Sequence, residues 1–242
     1  MTTGKRVCRH FALVIVLSIP LLAACAFSST GGSNATLTPA QATANTAAPR
    51  VIVLPPPQLE GSRTLEETLA QRRSVREFSD APLTQAELGQ LLWAAQGITH
   101  PAGLRTAPSA GALYPLQVYA ATHEAAYHYA PHGHQMTAII QGDVRPALHA
   151  AALRQDSVLN APAVIVIAAV YAQTAQKYGA ERSPRYVHLE AGHAAQNVLL
   201  QAVALDLGAA PIGAFEDEKV KQALKLPPGQ QPLYLIPVGH LE

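Results

Sequence analysis

The chain has 242 residues, of which 49% are hydrophobic and 14% charged, and its formal net charge at pH 7 is +1. This composition excludes a disordered chain and provides no basic field for binding nucleic acid. The two cysteines, Cys8 and Cys25, both lie near the N-terminus. A disulfide framework, a thiolate metal site and a cysteine nucleophile are therefore excluded from the rest of the chain.

The first 24 residues have the pattern of a lipoprotein signal peptide. Basic residues precede a short apolar run, residues 11–22, and small residues follow it. The run predicts a secretion signal rather than a transmembrane helix, because it would span only about 18 Å of a membrane core that is about 30 Å thick. Residues 22–25 (LAAC) resemble a bacterial lipobox, which implies acylation of Cys25 and a membrane anchor on the periplasmic or extracellular face. The alternative is an ordinary signal peptide with an incidental cysteine.

A flexible tether is predicted over residues 25–58, where Ser, Thr, Ala, Asn and Gly dominate the first part. Such a composition lacks the apolar periodicity of packed elements. Residues 51–54 have the composition of a short strand inside this segment, and three prolines follow them. We expect one folded domain over residues 59–242.

The folded part alternates predicted helices and strands. Helices are predicted over residues 64–72, 84–96, 144–153, 187–207 and 220–224, and strands over residues 116–122, 125–130, 136–140, 163–170 and 233–238. Thr84 and Glu87 form a capping box, and the continuous apolar run 163–170 is typical of a strand buried on both faces. Gly208 is predicted to end the long helix, and Pro237 places the last strand at an edge. The pattern predicts an α+β fold with a mixed or antiparallel sheet sandwiched by helices.

The densest polar cluster is Arg72-Arg73-Ser74-Val75-Arg76, directly after a predicted helix. Its guanidinium groups present paired N–H donors that match phosphate oxygens. In an extended chain alternate residues share a face, so Arg72, Ser74 and Arg76 would point together. Composition alone favours a solvated basic helix end, stabilised by the helix dipole, and a phosphate site is the alternative.

Two further segments are rich in small residues. They are TAPSAGALYP at residues 106–115 and GAAPIGAF at residues 208–215. Small side chains and glycine let the backbone approach a flat ligand closely. Taken singly, each segment also fits an ordinary loop or a tight turn.

The histidines carry a weaker signal. His132 and His134 would bind a metal only if a third ligand joined them, and a polar hairpin tip is the favoured alternative. His193 lies in the long predicted core helix, and we expect it to be a hydrogen-bonded core residue rather than a ligand.

Five segments occur together in a characteristic order: RRSVREF, TAPSAGALYPLQVY, KYGAERSPRYVHLEAGHAAQNVLLQA, LGAAPIGAF and LYLIPVG. With them the chain resembles the nitroreductase family of flavoproteins over residues 65–239. The resemblance is greatest to its SagB-type dehydrogenase branch, which includes azoline oxidases. It implies an α+β fold that binds FMN, usually as a homodimer with FMN at the subunit interface.

The resemblance also implies which residues contact the cofactor. The flavin phosphate, ribityl chain and ring edge would be held by Arg72, Ser74 and Arg76, with Arg73 adjacent. The partner subunit's FMN would be contacted by Pro108, Ser109 and Ala110. The isoalloxazine would lie along Ile212, Gly213 and Ala214, where many relatives have glycine at the last position. Many relatives also have basic residues after the last strand, so here the phosphate would depend on residues 72–76, with His240 as a helper.

Lys177 and Tyr178 match a catalytic Lys-Tyr pair of azoline oxidases, although a surface loop is the alternative for this stretch. Either side chain would act as a general base while hydride leaves for the flavin. The sequence therefore predicts an FMN-dependent oxidoreductase acting on a small molecule or peptide. Two alternatives remain: a flavin-free lipoprotein that uses the fold as a binding scaffold, and an NAD(P)H-dependent nitroreductase.

Overall fold

The structure, a computed structural model, describes residues 50–242. The predicted signal peptide, Cys25 and most of the predicted tether lie outside the described residues. The strands are β1 (Val51–Val53), β2 (Leu116–Thr122), β3 (Ala125–Ala130), β4 (Gln135–Gln141), β5 (Ala163–Val170), β6 (Leu207–Ala209) and β7 (Gln230–His240). The helices are α1 (Leu65–Gln71), α2 (Gln85–Gln96), α3 (Arg145–Ala151), α4 (Asp156–Asn160), α5 (Tyr171–Ala204) and α6 (Asp217–Leu224). A short 3₁₀ turn, Ala110–Ala112, precedes β2.

All strands join one sheet in the order β1-β4-β3-β2-β5-β7-β6, and every ladder is antiparallel. The central strand β5 is buried from residue 163 to residue 169, because helices cover both faces of the sheet. Residues of α2 and α5 pack on one face, and residues of α3, α4 and α6 pack on the other. The predicted α+β architecture is confirmed.

The first two helices begin at capping boxes. The Thr64 hydroxyl accepts from the Glu67 N–H at 3.2 Å, and the Glu67 carboxylate accepts from the Thr64 N–H at 2.7 Å. Thr84 and Glu87 repeat the arrangement with the same distances. Each box satisfies backbone donors that a helix start leaves unpaired, which confirms the predicted starts of α1 and α2.

The long helix α5 differs from its prediction at both ends. It begins at Tyr171 rather than at residue 187, and it is broken at Gly179, whose φ of 78° only glycine adopts readily. The break and Pro184 obscure the helical pattern of the first turns. The helix ends at Ala204, and Leu207 and Gly208 belong to β6 instead of ending the helix.

The prediction that β7 is an edge strand is wrong. It lies between β5 and β6, pairing with β5 along most of its length. Proline is tolerated there because β6 is only three residues long. The Pro237 carbonyl accepts from the Ala210 N–H at 3.2 Å, just beyond β6, so the donor that proline lacks falls outside that ladder.

The ordered sheet begins before residue 59, within the segment predicted as tether. Strand β1 pairs with β4, and the next residue, Leu54, is 4% exposed and donates its N–H to the His134 carbonyl at 3.0 Å. His193 also departs from its prediction, because it is exposed on α5 rather than buried in the core. Within residues 50–242, no helix has the length and apolarity needed to cross a membrane.

Candidate active site

Residues 72–76 leave α1 as an extended segment that lies beside β6. Ser74 forms a parallel bridge with Ala209, and the Val75 N–H donates to the Ala209 carbonyl at 3.0 Å. The Val75 side chain packs against Gly208, where an added Cβ would lie 2.6 Å from Val75 Cγ1. The backbone of this segment is therefore held by strand pairing and by close packing on a glycine.

The arginines of this segment differ in their contacts. Arg73 Nη1 donates to the Ala70 and Arg72 carbonyls, both at 2.8 Å, and so caps the end of α1. Within residues 50–242, the guanidinium groups of Arg72 and Arg76 have no hydrogen bond or ion pair. Arg72 is half-buried, whereas Arg76 is exposed. Two of the predicted phosphate ligands therefore keep all their donors available, and Arg73 does not.

His240, predicted as a helper to these arginines, is directed elsewhere. Its Nε2 lies 3.6 Å from a carboxylate oxygen of Glu87, which caps the start of α2. Its backbone carbonyl accepts from the Ser79 N–H at 3.0 Å. Of the predicted phosphate contacts, those of residues 72–76 therefore remain.

Residues 212–214 follow β6 on the same side of β7. Ile212 is buried and exchanges two backbone hydrogen bonds with Leu235, of 2.8 and 3.0 Å, while Gly213 and Ala214 are exposed. A Cβ added at Gly213 would meet no atom within 4 Å. Neither crowding nor a positive φ requires a glycine there, so its backbone is open to a ligand from outside the chain.

The predicted segment 108–110 lies in a different part of the molecule, beside the start of α5. Gly111, with a φ of 65°, follows it, and a Cβ there would lie 2.8 Å from Lys177 Nζ and 3.0 Å from Tyr178 Oη. Lys177 and Tyr178 belong to α5, immediately before the break at Gly179, and so lie on a helix rather than a loop, with Lys177 exposed. The structure brings the predicted catalytic pair directly over the turn that ends segment 108–110.

Sequence analysis missed Glu190, which lies on α5 and is 2% exposed. Burial raises the pKa of this carboxyl to about 7, against the stabilising effects of Ser109, Arg105 and Gln96 on the ionised form. The signal was present in the sequence, because Glu190 is the one acidic residue in residues 187–204. A single acid on a helix that is otherwise apolar and small on its inner face is a candidate for function.

The histidines of the hairpin have other partners. His134 Nδ1 lies 2.9 Å from the Tyr129 hydroxyl, and His128 Nε2 lies 2.9 Å from Gln117 Oε1. Burial lowers the pKa of both imidazoles. In the part of the chain that the structure describes, no three His, Cys, Asp or Glu side chains gather as metal ligands would.

The antiparallel sheet with helices on both faces is the fold of solved nitroreductase homologues. The sequence profile of the Nitroreductase family matches residues 69–240, and the chain belongs to this family. A nitroreductase homologue from Methanocaldococcus jannaschii is 45% identical over 181 residues, which cover 72% of this chain and 90% of the homologue.

Solved structures agree on the fold. A nitroreductase homologue from Ralstonia eutropha superposes with a TM-score of 0.73 at 30% identity, over 80% of this chain and 90% of its own. The NADPH:FMN oxidoreductase of Vibrio harveyi, solved with NAD⁺, superposes with a TM-score of 0.56 at 22% identity, over 74% and 69%. The second likeness is one of fold alone. The protein is thus an oxidoreductase of a flavin-binding family.

Proposed function

We propose that this protein is an FMN-dependent oxidoreductase of the SagB-type dehydrogenase kind, active as a homodimer. The observation that carries the proposal is the pair Arg72 and Arg76, whose guanidinium groups have no protein acceptor within residues 50–242. The backbone between them is joined to Ala209, on the strand that leads to the exposed Gly213. Cationic donors beside β6 and an exposed backbone after it fit the phosphate and the ring system of a flavin mononucleotide.

The chain's residues divide the work of binding FMN. Arg72, Ser74 and Arg76 would hold the phosphate, because a dianion needs charge-assisted hydrogen bonds to replace its water. The exposed backbone of Gly213 and Ala214 would lie along the ring system. When bound, FMN supplies two-electron chemistry by exchanging hydride at N5.

The catalytic proton transfer is proposed for Lys177 and Tyr178. Lys177 Nζ lies 5.6 Å from the centre of the Tyr178 ring, and both polar ends lie over the turn at Gly111. From there, either group would take the proton that a substrate loses as its hydride departs. The short distances to Gly111 support this role, because segment 108–110, which the turn follows, would meet the partner's flavin.

The N-terminal sequence adds location to the proposal. We propose that Cys25 is acylated and that the domain is tethered to a membrane at its periplasmic or extracellular face. An exported enzyme meets little NAD(P)H, so its substrate would be an extracellular peptide or small molecule, with oxygen or a quinone as electron acceptor. Replacing Cys25 by serine should release the protein from the membrane fraction, and retention of the variant there would contradict acylation.

Titration of the purified protein with FMN tests the flavin proposal. The protein should show visible flavin absorbance, and Arg72→Ala/Arg76→Ala should bind FMN about 10² to 10⁴ times more weakly, since each charge-assisted bond contributes about 1.5–3 kcal/mol. Arg73→Ala is the matched control, because it removes the same charge from a side chain that caps α1. A colourless protein that takes up no FMN would instead support a flavin-free binding scaffold.

A second candidate, an NAD(P)H-dependent nitroreductase, is favoured by the 45% identity to the Methanocaldococcus jannaschii homologue. Anaerobic mixing of the FMN-loaded protein with NADH or NADPH separates the two. Rapid bleaching of the flavin absorbance supports the second candidate, and slow or absent bleaching supports the dehydrogenase of an exported substrate.

A further inference from the structure

A group of polar residues gathers at the buried Glu190 carboxyl, and we call it the Glu190 ring. Its members are Gln96, Arg105, Ser109, Tyr114 and Glu190. They come from the end of α2, from the loop after it, from both sides of the 3₁₀ turn and from α5. The ring thus joins the turn that ends segment 108–110 to two core helices.

The first half of the ring is anchored in the core. Gln96 is 1% exposed, and its Oε1 accepts from Arg105 Nη1 at 2.8 Å. Its Nε2 donates toward Glu190 Oε1 across 3.5 Å. Because one amide end is occupied by a cation, the amide is fixed with its donor aimed at the carboxyl.

The second half of the ring runs through the predicted flavin segment. The Ser109 hydroxyl oxygen accepts from the Tyr114 N–H at 2.9 Å, and the same hydroxyl favours the ionised form of Glu190. Arg105 stacks over the Tyr114 ring at 4.5 Å from its centre, and so links Gln96 to this turn. In the described chain, Arg105 forms no ion pair within 4 Å, so Glu190 acts on it from a distance.

We propose that Glu190 is a positioning residue, which holds segment 108–110 in the conformation that meets the partner subunit's flavin. This inference rests on the proposed function, because the segment's role comes from there. Glu190 acts through Gln96, Arg105 and Tyr114, and need not touch the cofactor. As a carboxylate it accepts from Gln96 and attracts Arg105 and the Ser109 hydroxyl, whereas its protonated form holds them less strongly and loosens the turn.

The consequence is a pH dependence that a structural role alone would not give. The groups that act on the carboxyl are Arg105 from the loop after α2, Ser109 from the turn and Gln96 from α2. Raising the pH through about 7 ionises Glu190 and tightens the turn. FMN affinity should therefore rise with pH across this range.

The test compares Glu190→Gln with the wild-type full chain, by FMN titration between pH 5.5 and 8.5. The glutamine imitates the protonated acid, so its FMN affinity should equal that of the wild type at pH 5.5 and be about five-fold weaker at pH 8.5. Glu181→Gln, which removes an exposed carboxylate from the same helix, should follow the wild type throughout. Taking the ratio to wild type removes the titration of the FMN phosphate itself.

A second measurement needs no flavin. Amide hydrogen exchange at Tyr114, whose N–H donates to Ser109, should be at least five-fold faster in Glu190→Gln than in the wild type at pH 8, and equally fast in both at pH 5.5. Parallel FMN profiles for Glu190→Gln and wild type, or unchanged Tyr114 exchange, would overturn the inference. Absence of FMN binding by the wild type would overturn the proposed function, and the exchange measurement would still decide whether Glu190 holds the turn.

Discussion

Two regions of this molecule treat their polar groups in opposite ways. Beside β6, the backbone of residues 72–76 is anchored by the pairing of Ser74 and Val75 with Ala209, while the guanidinium groups of Arg72 and Arg76 have no protein acceptor in the described chain. Around Glu190, the side chains satisfy one another inside the fold and segment 108–110 is tied to them. The first region presents donors to a ligand, whereas the donors of the second region bond within the fold and hold segment 108–110.

The largest effect should come from Lys177, which lies over the turn at Gly111 in the second region. We expect Lys177→Met to slow the oxidation of a peptide azoline by about 10² to 10⁴ times, the usual contribution of a positioned general base. FMN affinity should change less than three-fold, because the lysine has no part in holding the phosphate. Single-turnover flavin reduction measures the effect, and Tyr178→Phe tests whether the hydroxyl is the base instead.

If Lys177→Met reduced flavin as fast as the wild type and Tyr178→Phe did not, the base would be the tyrosine. If neither variant slowed the reaction, the pair would have no catalytic role, and the contrast between the two regions would rest on binding alone.

Gly208 tests whether packing really fixes the first region. A Cβ there would lie 2.6 Å from Val75 Cγ1 and 2.9 Å from Leu241 Cδ2. We expect Gly208→Ala to destabilise the protein by about 1–3 kcal/mol through overpacking and to weaken FMN binding, because residues 72–76 must move. Denaturant unfolding and FMN titration measure the two effects.

Val75→Ala supplies the control for Gly208. In the double variant Gly208→Ala/Val75→Ala the contact with Val75 Cγ1 at 2.6 Å is removed, although that with Val75 Cβ at 2.8 Å remains, so the destabilisation should be smaller than the sum of the two single effects. An additive result would show that the segment is not held by this contact.

Much of the fold could be predicted because its signals are local. Thr84 and Glu87 cap a helix within one turn, and the apolar run of β5 marks a central strand on its own. The helix around Gly179 could not be predicted in this way, because a helix broken by one glycine looks like a loop in a linear pattern. Pro237 gave a wrong prediction for a related reason: proline is tolerated there because the β6 ladder ends at Val238, one residue short of it, and the sequence does not show the length of β6.

The site was predictable in its segments but not in its assembly. Arg72 and Arg73 look equivalent in sequence, and only the end of α1 decides that Arg73 caps carbonyls while Arg72 does not. The pairing of Ser74 with Ala209 joins positions far apart along the chain. Glu190 stands out in the sequence as the one acid of residues 187–204, but its raised pKa depends on burial, which the linear pattern does not show.

Glu190 sharpens the comparison of the two regions, because its ionised carboxylate should lower the stability of the fold while it strengthens FMN binding. Its pKa in the folded protein, about 7, lies above the ordinary 4.5. The folded state therefore binds the proton more tightly between these values, and stability falls as the pH rises through this window. At pH 8, the free energy of unfolding of Glu190→Gln should therefore exceed that of the wild type by up to about 3 kcal/mol.

At pH 4.5 the wild type and Glu190→Gln should have equal free energies of unfolding, because both then carry a neutral side chain at position 190. Thermal unfolding at the two pH values measures this, with Glu181→Gln as the exposed control. A Glu190→Gln variant that is less stable at pH 8 would show that the carboxylate is a net stabiliser. In that case the carboxylate would raise both stability and FMN affinity, which contradicts the prediction.

The smallest effect should come from Arg73, and it separates charge from contact within the first region. Arg73→Ala removes two donors from carbonyls at the end of α1, which should cost about 0.3–1 kcal/mol of stability. Its FMN affinity should stay within three-fold of wild type, and that small change should vanish in high salt because only a long-range charge is lost. A loss as large as that of Arg76→Ala would mean that the cluster binds phosphate by total charge, and the distinction drawn from its contacts would fail.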